Sequence, residues 1–332
     1  MSGDSIAYQL RPNKHIDRQI FIDFIKLLGT QKPLPSYEYI SMGGPFLEDA
    51  TAIYRETGIE KITSFEAEKH VLERQLFNRP FSFIECLGQT SEEFIEAFPE
   101  HSSIKNADGN FIVWLDYADS GKRLAQLQEL EKLLVKMESW DVVRITMNAN
   151  AVTLGTKVDD GDTDIKQTRL RKLRSVLGGS YPCDAQETDM VQKKFPNILA
   201  RIIGIAAERA MKGRKNVYPV SVCSYADGNH TMLTVTMIVL TQNEWKHFSQ
   251  ALQASEWPYM ASGWEDIEKI SIPALSQKEK ISIDGGLKSK TAEEILDETG
   301  VVFSSSREAM LETLETYIRV HRFYPNFVRA DL

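Results

Sequence analysis

The chain has 332 residues, with 39 Lys and Arg against 47 Asp and Glu, a formal net charge of −8, three cysteines and 42% hydrophobic residues. That composition belongs to a soluble globular protein with room for a sizeable core, as one large domain with an appendage or as two domains. Cys86, Cys183 and Cys223 lie far apart, which excludes a disulfide framework and a paired CxxC site and points to a reducing cytosol. The longest apolar run, Met232 to Leu240, is well short of the roughly 20 residues a membrane-spanning helix needs. The segment from Met1 to Lys14 lacks the apolar centre of an export signal.

In chain order, Tyr8 to Lys14 reads as an irregular arm, and Ile16, Ile20, Phe21, Phe24, Ile25 and Leu28 recur at helical spacing, which predicts a helix over 15–28. Tyr37 to Ser41 reads as a strand, followed by a Met42-Gly43-Gly44-Pro45 turn that delivers Pro45 to the first position of a helix over 45–57. Lys61 to Phe65 is a second strand with a helix from Ala67 to Phe77. Phe81 to Cys86 is a third, and Thr90-Ser91-Glu92-Glu93 is a capping box opening a helix to Phe98. Phe111 to Asp116 is continuously apolar up to its last residue, the pattern of a central parallel strand covered on both faces. A leucine-striped helix over 124–137 and a fifth strand from Asp141 to Met147 complete the series.

Five strand–helix units predict an open, doubly wound α/β sheet whose ligands bind at the C-terminal edge of its strands. Residues 153–188, rich in Asp, Gly and basic residues, read as a long insertion. A helix from Met190 to Met211 follows, then strands from Tyr218 to Tyr225 and Thr231 to Leu240 joined through Asp227-Gly228, a hairpin signal. The hairpin requires one antiparallel strand at the sheet's edge. From Ser255 a small, mainly helical extension begins. It carries a capping box at Thr291 to Glu294, a helix stop at Gly300 and a helix over 306–322, and the closing Tyr324 to Phe327 reads as a docked terminus.

Five alternating strands ending in a hairpin resemble the class I S-adenosylmethionine-dependent methyltransferase fold over residues 35–242, and the chain also resembles bacterial proteins described as putative O-methyltransferases. The resemblance implies a methyltransferase-like Rossmann arrangement of seven mostly parallel strands, the seventh antiparallel, in a domain spanning 35–254. The arm and first helix (1–34) precede it and the extension (255–332) follows. It also implies S-adenosylmethionine as cofactor. The turn of Met42, Gly43, Gly44 and Pro45 then meets the cofactor's amino-acid end. Glu66, with Ala67 beside it, takes the ribose hydroxyls, and Gly88, Gln89 and Thr90 approach the adenine.

The step of 23 residues from Gly43 to Glu66 fits the spacing of about 20 in nucleotide-binding α/β units. Glu66 also reads as a helix-start carboxylate, behind the ribose reading that the preceding turn favours, and Thr90 as a helix cap. Asp116 falls where the resemblance places the sulfonium and the incoming nucleophile, with Tyr117 closing over the methyl group and Asn148 and Asn150 orienting the acceptor. A turn that holds its own backbone explains the two asparagines as well.

Two basic features bear on the acceptor. Tyr8, Arg11, Asn13 and Lys14 offer contacts to an anionic substrate, or form an ordered cap on the domain. From Lys157 to Lys215 there are 13 basic and 8 acidic residues, and Arg169 and Lys172 fall in a run, Lys166 to Arg174, with five cations in nine residues. Such a run is ordinarily a solvated face, and its functional reading is contact with nucleic acid or another anionic substrate. The C-terminal extension is a candidate surface for a protein partner or a homodimer. His15, His70, His101, His230, His247 and His321 show no metal-ligand spacing, and phosphate-loop, nucleophile-elbow and zinc-protease motifs are absent from the sequence. Three functions remain: a methyltransferase, a methyltransferase-like fold kept as a binding or scaffold module, or an aminopropyl transferase, which uses a similar sheet with the decarboxylated cofactor.

Overall fold

The computed structural model describes residues 11–100, 109–212 and 215–325. Eight strands form one sheet: β1 (Tyr37–Ser41), β2 (Lys61–Phe65), β3 (Ile84–Leu87), β4 (Asn110–Asp116), β5 (Val142–Asn148), β6 (Asn216–Asp227), β7 (His230–Leu240) and β8 (Ile267–Ile270). Their order is β3-β2-β1-β4-β5-β7-β6-β8. The five strands from β3 to β5 pair in parallel, and β7 is antiparallel to both its neighbours. This is the doubly wound, methyltransferase-like sheet expected from the sequence, except that the antiparallel strand, β7, lies between β5 and β6 rather than at the edge, because the hairpin's second strand inserts next to β5. The eighth strand, β8, extends it by pairing in parallel with β6. At four residues, β8 is too short to stand out as a period-two pattern within the Trp-, Pro- and Ser-rich stretch that contains it.

Helix α1 (Pro12–Leu28) begins three residues before the expected start, with Pro12 at its favoured first turn. Lys14 and Asn13, read from the sequence as part of an irregular arm, therefore belong to a helix. Tyr8 lies outside the described residues. The helix after β1 is also shorter than expected: α2 covers Glu48–Thr57, and Leu47 precedes it in a left-handed conformation (φ 49°), so Pro45 stays in the turn. Helices α3 (Lys69–Asn78), α4 (Ser91–Ala97) and α5 (Arg123–Val135) follow β2, β3 and β4, and Thr90 caps α4 through the expected capping box.

The insertion is ordered rather than structureless. Asp164 caps α6 (Ile165–Leu177) by accepting from the amides of Lys166 (2.7 Å) and Gln167 (3.1 Å), and Leu170, Leu173 and Leu177 are buried. Those leucines carry the helical period; the density of charge around them masks it. Helix α7 (Phe195–Met211) starts later than predicted, where Pro196 sets its first turn.

Period-two alternation sends successive strand residues to opposite faces. Phe65, Val113, Leu115, Val143, Ile145, Met147 and Val235 pack with α4, α5, α6 and α7. Tyr37, Tyr39, Ile112, Trp114, Cys223 and Tyr225 pack with α1, α2 and α8 (Gln242–Ala254). The extension forms α9 (Gln277–Asp284), α10 (Ala292–Thr299) and α11 (Arg307–Val320), which bury a small core of Ile283, Ile295, Leu296, Leu314 and Tyr317. It is fastened to the main sheet by Arg319 on Glu268 of β8 and by Tyr259, whose hydroxyl donates to the Arg319 carbonyl at 2.7 Å.

One polar contact fixes α1 against the sheet. Arg144 of β5 is fully buried and donates through Nη2 to Asp17 Oδ2 at 2.5 Å, while Thr236 and Thr234 of β7 complete the pair at 2.7 and 2.6 Å. The guanidinium also sits over Phe21 and Trp114, 4.6 and 4.8 Å from their ring centroids. Removing one member of a buried pair leaves an uncompensated charge, typically at a cost of about 3–5 kcal/mol, whereas a well-packed apolar replacement of both is close to neutral. We therefore expect Asp17→Asn to lower the urea-unfolding free energy by about 3 kcal/mol. Asp17→Leu combined with Arg144→Met should recover most of that loss. Equal losses in the single and double variants would contradict this account.

A second expectation concerns acid stability. Burial pushes the Glu244 carboxyl up, but hydrogen bonds from Ser139, the Thr241 amide and hydroxyl, and Trp140 outweigh it and hold the group at about 2. Its stabilising contribution is therefore complete above the ordinary value of 4.5 and is lost as the pH falls toward 2. Denaturation measured across this window should show a shallower pH slope for Glu244→Gln than for the native chain; identical slopes would count against the assignment.

Candidate functional site

The strand registers bring the expected residues into one row. Ser41 of β1 is paired with Ser64 of β2 and Trp114 of β4, and Ser64 with Cys86 of β3. Two residues past each lie Gly43, Glu66, Asp116 and Gly88, and Asp116 itself pairs with Thr146 of β5. At about 4.8 Å between neighbouring strands, Glu66 and Asp116 straddle the glycine turn roughly 10 Å apart. Asp116, the last residue of β4, follows Trp114 on the face covered by α1 and α2. The edge is therefore a crevice with one carboxylate on each side of a glycine turn.

The turn is held by the protein behind it. Met42 donates its amide to the Trp114 carbonyl at 3.3 Å, Gln75 of α3 donates to the Gly43 carbonyl, and Asn78 donates to the Pro45 carbonyl at 2.8 Å. The Gly44 carbonyl accepts from Leu47 at 3.2 Å. A Cβ at Gly43 would collide with Ser64 Oγ and come within 2.9 Å of Leu47 Cδ2. Glycine is needed here for close packing of turn against strand, a different reason from the approach of a ligand expected from the sequence. Gly88 is in a similar position against Leu72, at 2.9 Å. Glu66 is half-buried and accepts from the Glu68 amide at 2.9 Å, Ala67 is exposed, and Gln89 is half-buried beside the capping residue Thr90.

At the β4 tip, Lys14 of α1 reaches Asp116 Oδ2 at 3.2 Å. Burial pushes the Asp116 carboxyl up, but the charges of Lys14 and Arg18, with hydrogen bonds from Lys14 and Thr146, outweigh it and hold the group below its ordinary range. Asp116 is thus a fixed negative charge and a weak base. Arg18, buried one turn further along α1, lies over the Trp114 ring (5.5 Å) and approaches Glu48, the first residue of α2, at 3.7 Å. Arg18 and Glu48 were not among the residues expected from the sequence; their signal is the four-residue step from Lys14 to Arg18, which places both cations on one helix face.

Tyr117 turns the other way. Its ring is buried in the core and its hydroxyl donates to Glu129 of α5, so in this structure it does not cover the crevice. The cause is alternation: the residue next to Asp116 must face the opposite side. Asn148 is buried with its Oδ1 accepting from the Asn150 amide at 3.0 Å, and its carbonyl accepts from the buried Arg123 at 2.9 Å. Asn150 caps the following turn through the Val152 amide. Both asparagines hold their own backbone at the edge.

Arg11 pairs with Asp227 at the end of β6, and Asn13 donates to the Ala226 carbonyl at 3.2 Å, so the start of α1 is docked on the hairpin. Arg169 and Lys172 do not reach this crevice through any contact of their own: Arg169 donates to the carbonyls of Gly155 and Met190, and Lys172 pairs with Asp159, all within the segment from the β5 tip to α7. No group of three His, Cys, Asp or Glu side chains suited to a metal is present among the described residues.

The packing of the turn gives a direct test. Overpacking a close contact costs about 1–3 kcal/mol. Gly43→Ala should destabilise by that order in urea unfolding, and a second change, Ser64→Gly, should restore most of the loss. An unaffected single variant would contradict the contact.

A family model described as "Putative O-methyltransferase" matches residues 6–332. A search of curated proteins finds no match. Among solved structures, Trm1 from Pyrococcus horikoshii in complex with S-adenosyl-L-methionine has a TM-score of 0.45 at 11% identity, over 92% of this chain and 76% of that one. A putative O-methyltransferase from Klebsiella pneumoniae has a TM-score of 0.39 at 10% identity, over 73% and 84%. The N-methyltransferase NodS from Bradyrhizobium japonicum has 0.37 at 10%, over 68% and 97%. With a family match running over almost its whole length, the chain belongs to the family described as putative O-methyltransferases.

Proposed function

We propose that the protein transfers the methyl group of S-adenosylmethionine to a hydroxyl of a small polar acceptor, and that it does so by orientation rather than with a strong base. The observation that carries this reading is the Asp116 tip: a carboxylate held ionised by Lys14 beside the glycine turn, on the row that also holds Glu66. The donor set fits the cofactor. Glu66 suits a ribose diol, Gly88 to Thr90 leave an approach for adenine, and the turn of Met42 to Pro45 with Asp116 faces the amino-acid arm. The bound cofactor supplies an electrophilic methyl group on a sulfonium, a good leaving group, so holding the reacting atoms in line supplies most of the acceleration.

The acceptor side is bounded by groups already neutralised within the protein. The hairpin end is tied to α1 through Arg11 and Asp227, and to the β5 tip by Asn150 on the Asn229 carbonyl at 3.3 Å. Gln192 joins the Ala151 amide to the Thr231 hydroxyl. In the basic insertion, Arg171 pairs with Asp159 and Asp162, and Lys172 with Asp159. Part of the charge of Arg171 and Lys172 is thus met by carboxylates of the same segment. That supports a small acceptor over the nucleic acid suggested by composition.

The test is to incubate the purified protein with methyl-labelled S-adenosylmethionine and a cell extract separated into small-molecule, RNA and protein fractions. Label should pass into the small-molecule fraction; label that appears only in a ribonuclease-sensitive fraction would overturn the proposed acceptor class.

A further inference from the structure

The cations of α1 stand at the tip of β4 and the start of α2. Lys14 and Arg18 are one helical turn apart on a single face, and both are largely buried, at 7% exposure. Lys14 rests on Asp116 at the β4 tip, and Arg18 lies between Trp114, two residues before that tip, and Glu48, which opens α2 just after the turn. Met42, the first residue of the turn, is itself bonded to the Trp114 carbonyl. Arg18 is thus bracketed by the three elements that meet at the β1 tip.

The amino-acid arm of the cofactor is a zwitterion, an ammonium and a carboxylate on one carbon. Receiving it requires a fixed anion and a fixed cation side by side, and α1 and β4 supply that arrangement.

We infer that Arg18 recognises the α-carboxylate of the cofactor while Asp116, held in place by Lys14, receives its α-ammonium. Arg18 then determines selectivity for a cofactor that carries an intact amino-acid arm. This deepens the assignment of S-adenosylmethionine and rests on it. It reassigns Lys14 from the acceptor, where the sequence placed it, to the support of Asp116.

The neighbourhood makes the roles separable. Arg18 is a rigid, permanently charged donor suited to a carboxylate, and Asp116 belongs to a different element. The adenosine half of the cofactor faces Glu66 and the Gly88 segment on the far side of the turn, so a ligand lacking the amino-acid arm should not sense Arg18.

Calorimetry on the full chain with two ligands tests this: S-adenosylhomocysteine, which has the arm, and 5′-methylthioadenosine, which lacks it. A charge-assisted hydrogen bond is worth roughly 1.5–3 kcal/mol, so Arg18→Gln should weaken S-adenosylhomocysteine about tenfold to a hundredfold and leave 5′-methylthioadenosine within about twofold. Arg18→Lys, which keeps the charge without the planar fork, should fall between and guards against a variant that fails to fold. Equal weakening of both ligands, or of neither, would overturn the inference while leaving the cofactor assignment standing. If the native chain bound neither ligand, the cofactor assignment itself would fail.

Discussion

Helix α1 crosses the sheet at one position because Asp17, in its second turn, is sealed against Arg144 of β5 in a site with no access to water. A buried pair of this kind adds little net stability compared with apolar side chains of the same volume. Its effect is on geometry. Any slip of α1 along or around its axis would strand a guanidinium in the interior, and the threonines of β7 and the rings of Phe21 and Trp114 leave it one orientation. With Asp17 fixed, helical spacing determines the rest: Lys14 comes to the β4 tip and Arg18 to the start of α2. The crevice owes its charged wall to a contact that lies beneath it.

The opposite wall comes from strand register alone. Pairing of β1 with β2 and β4, and of β2 with β3, aligns Gly88, Glu66, Gly43 and Asp116 at the edge of the sheet, although these residues span 73 positions of the chain from Gly43 to Asp116. The parallel strands supply spacing and the packed turn supplies rigidity. Asp116 is the point where both walls meet, and its ionised state follows from the meeting: burial opposes the charge, and cations from α1 restore it.

Much of this was legible in the sequence, and the parts that were not share a cause. Alternating apolar runs and helical stripes give the sheet and its hairpin, and the Thr90 capping box is found where a Thr three residues before a Glu predicts it. Residues aligned by strand order, Glu66 and Asp116, could be named because the sheet has a regular geometry. Side-chain direction was harder. Tyr117 and Asp116 are adjacent in sequence and face opposite sides, so a motif read as a string places them together where a strand separates them. The helix inside the insertion is masked because its charges are conspicuous and its buried leucines are few, and only the folded segment shows Asp159 and Asp162 paired with Arg171 and Lys172. Arg144 and Asp17 are 127 residues apart, and neither carries a local signal of burial.

The claim at the centre of this account is that α1 and four strand tips enclose a single cofactor crevice. A crystal structure with S-adenosylhomocysteine tests it most directly. The ribose should lie on Glu66, the adenine beside Gly88 to Thr90, and the amino-acid arm between the glycine turn and the Arg18 and Asp116 pair. A nucleoside bound elsewhere, or an arm directed away from α1, would contradict it.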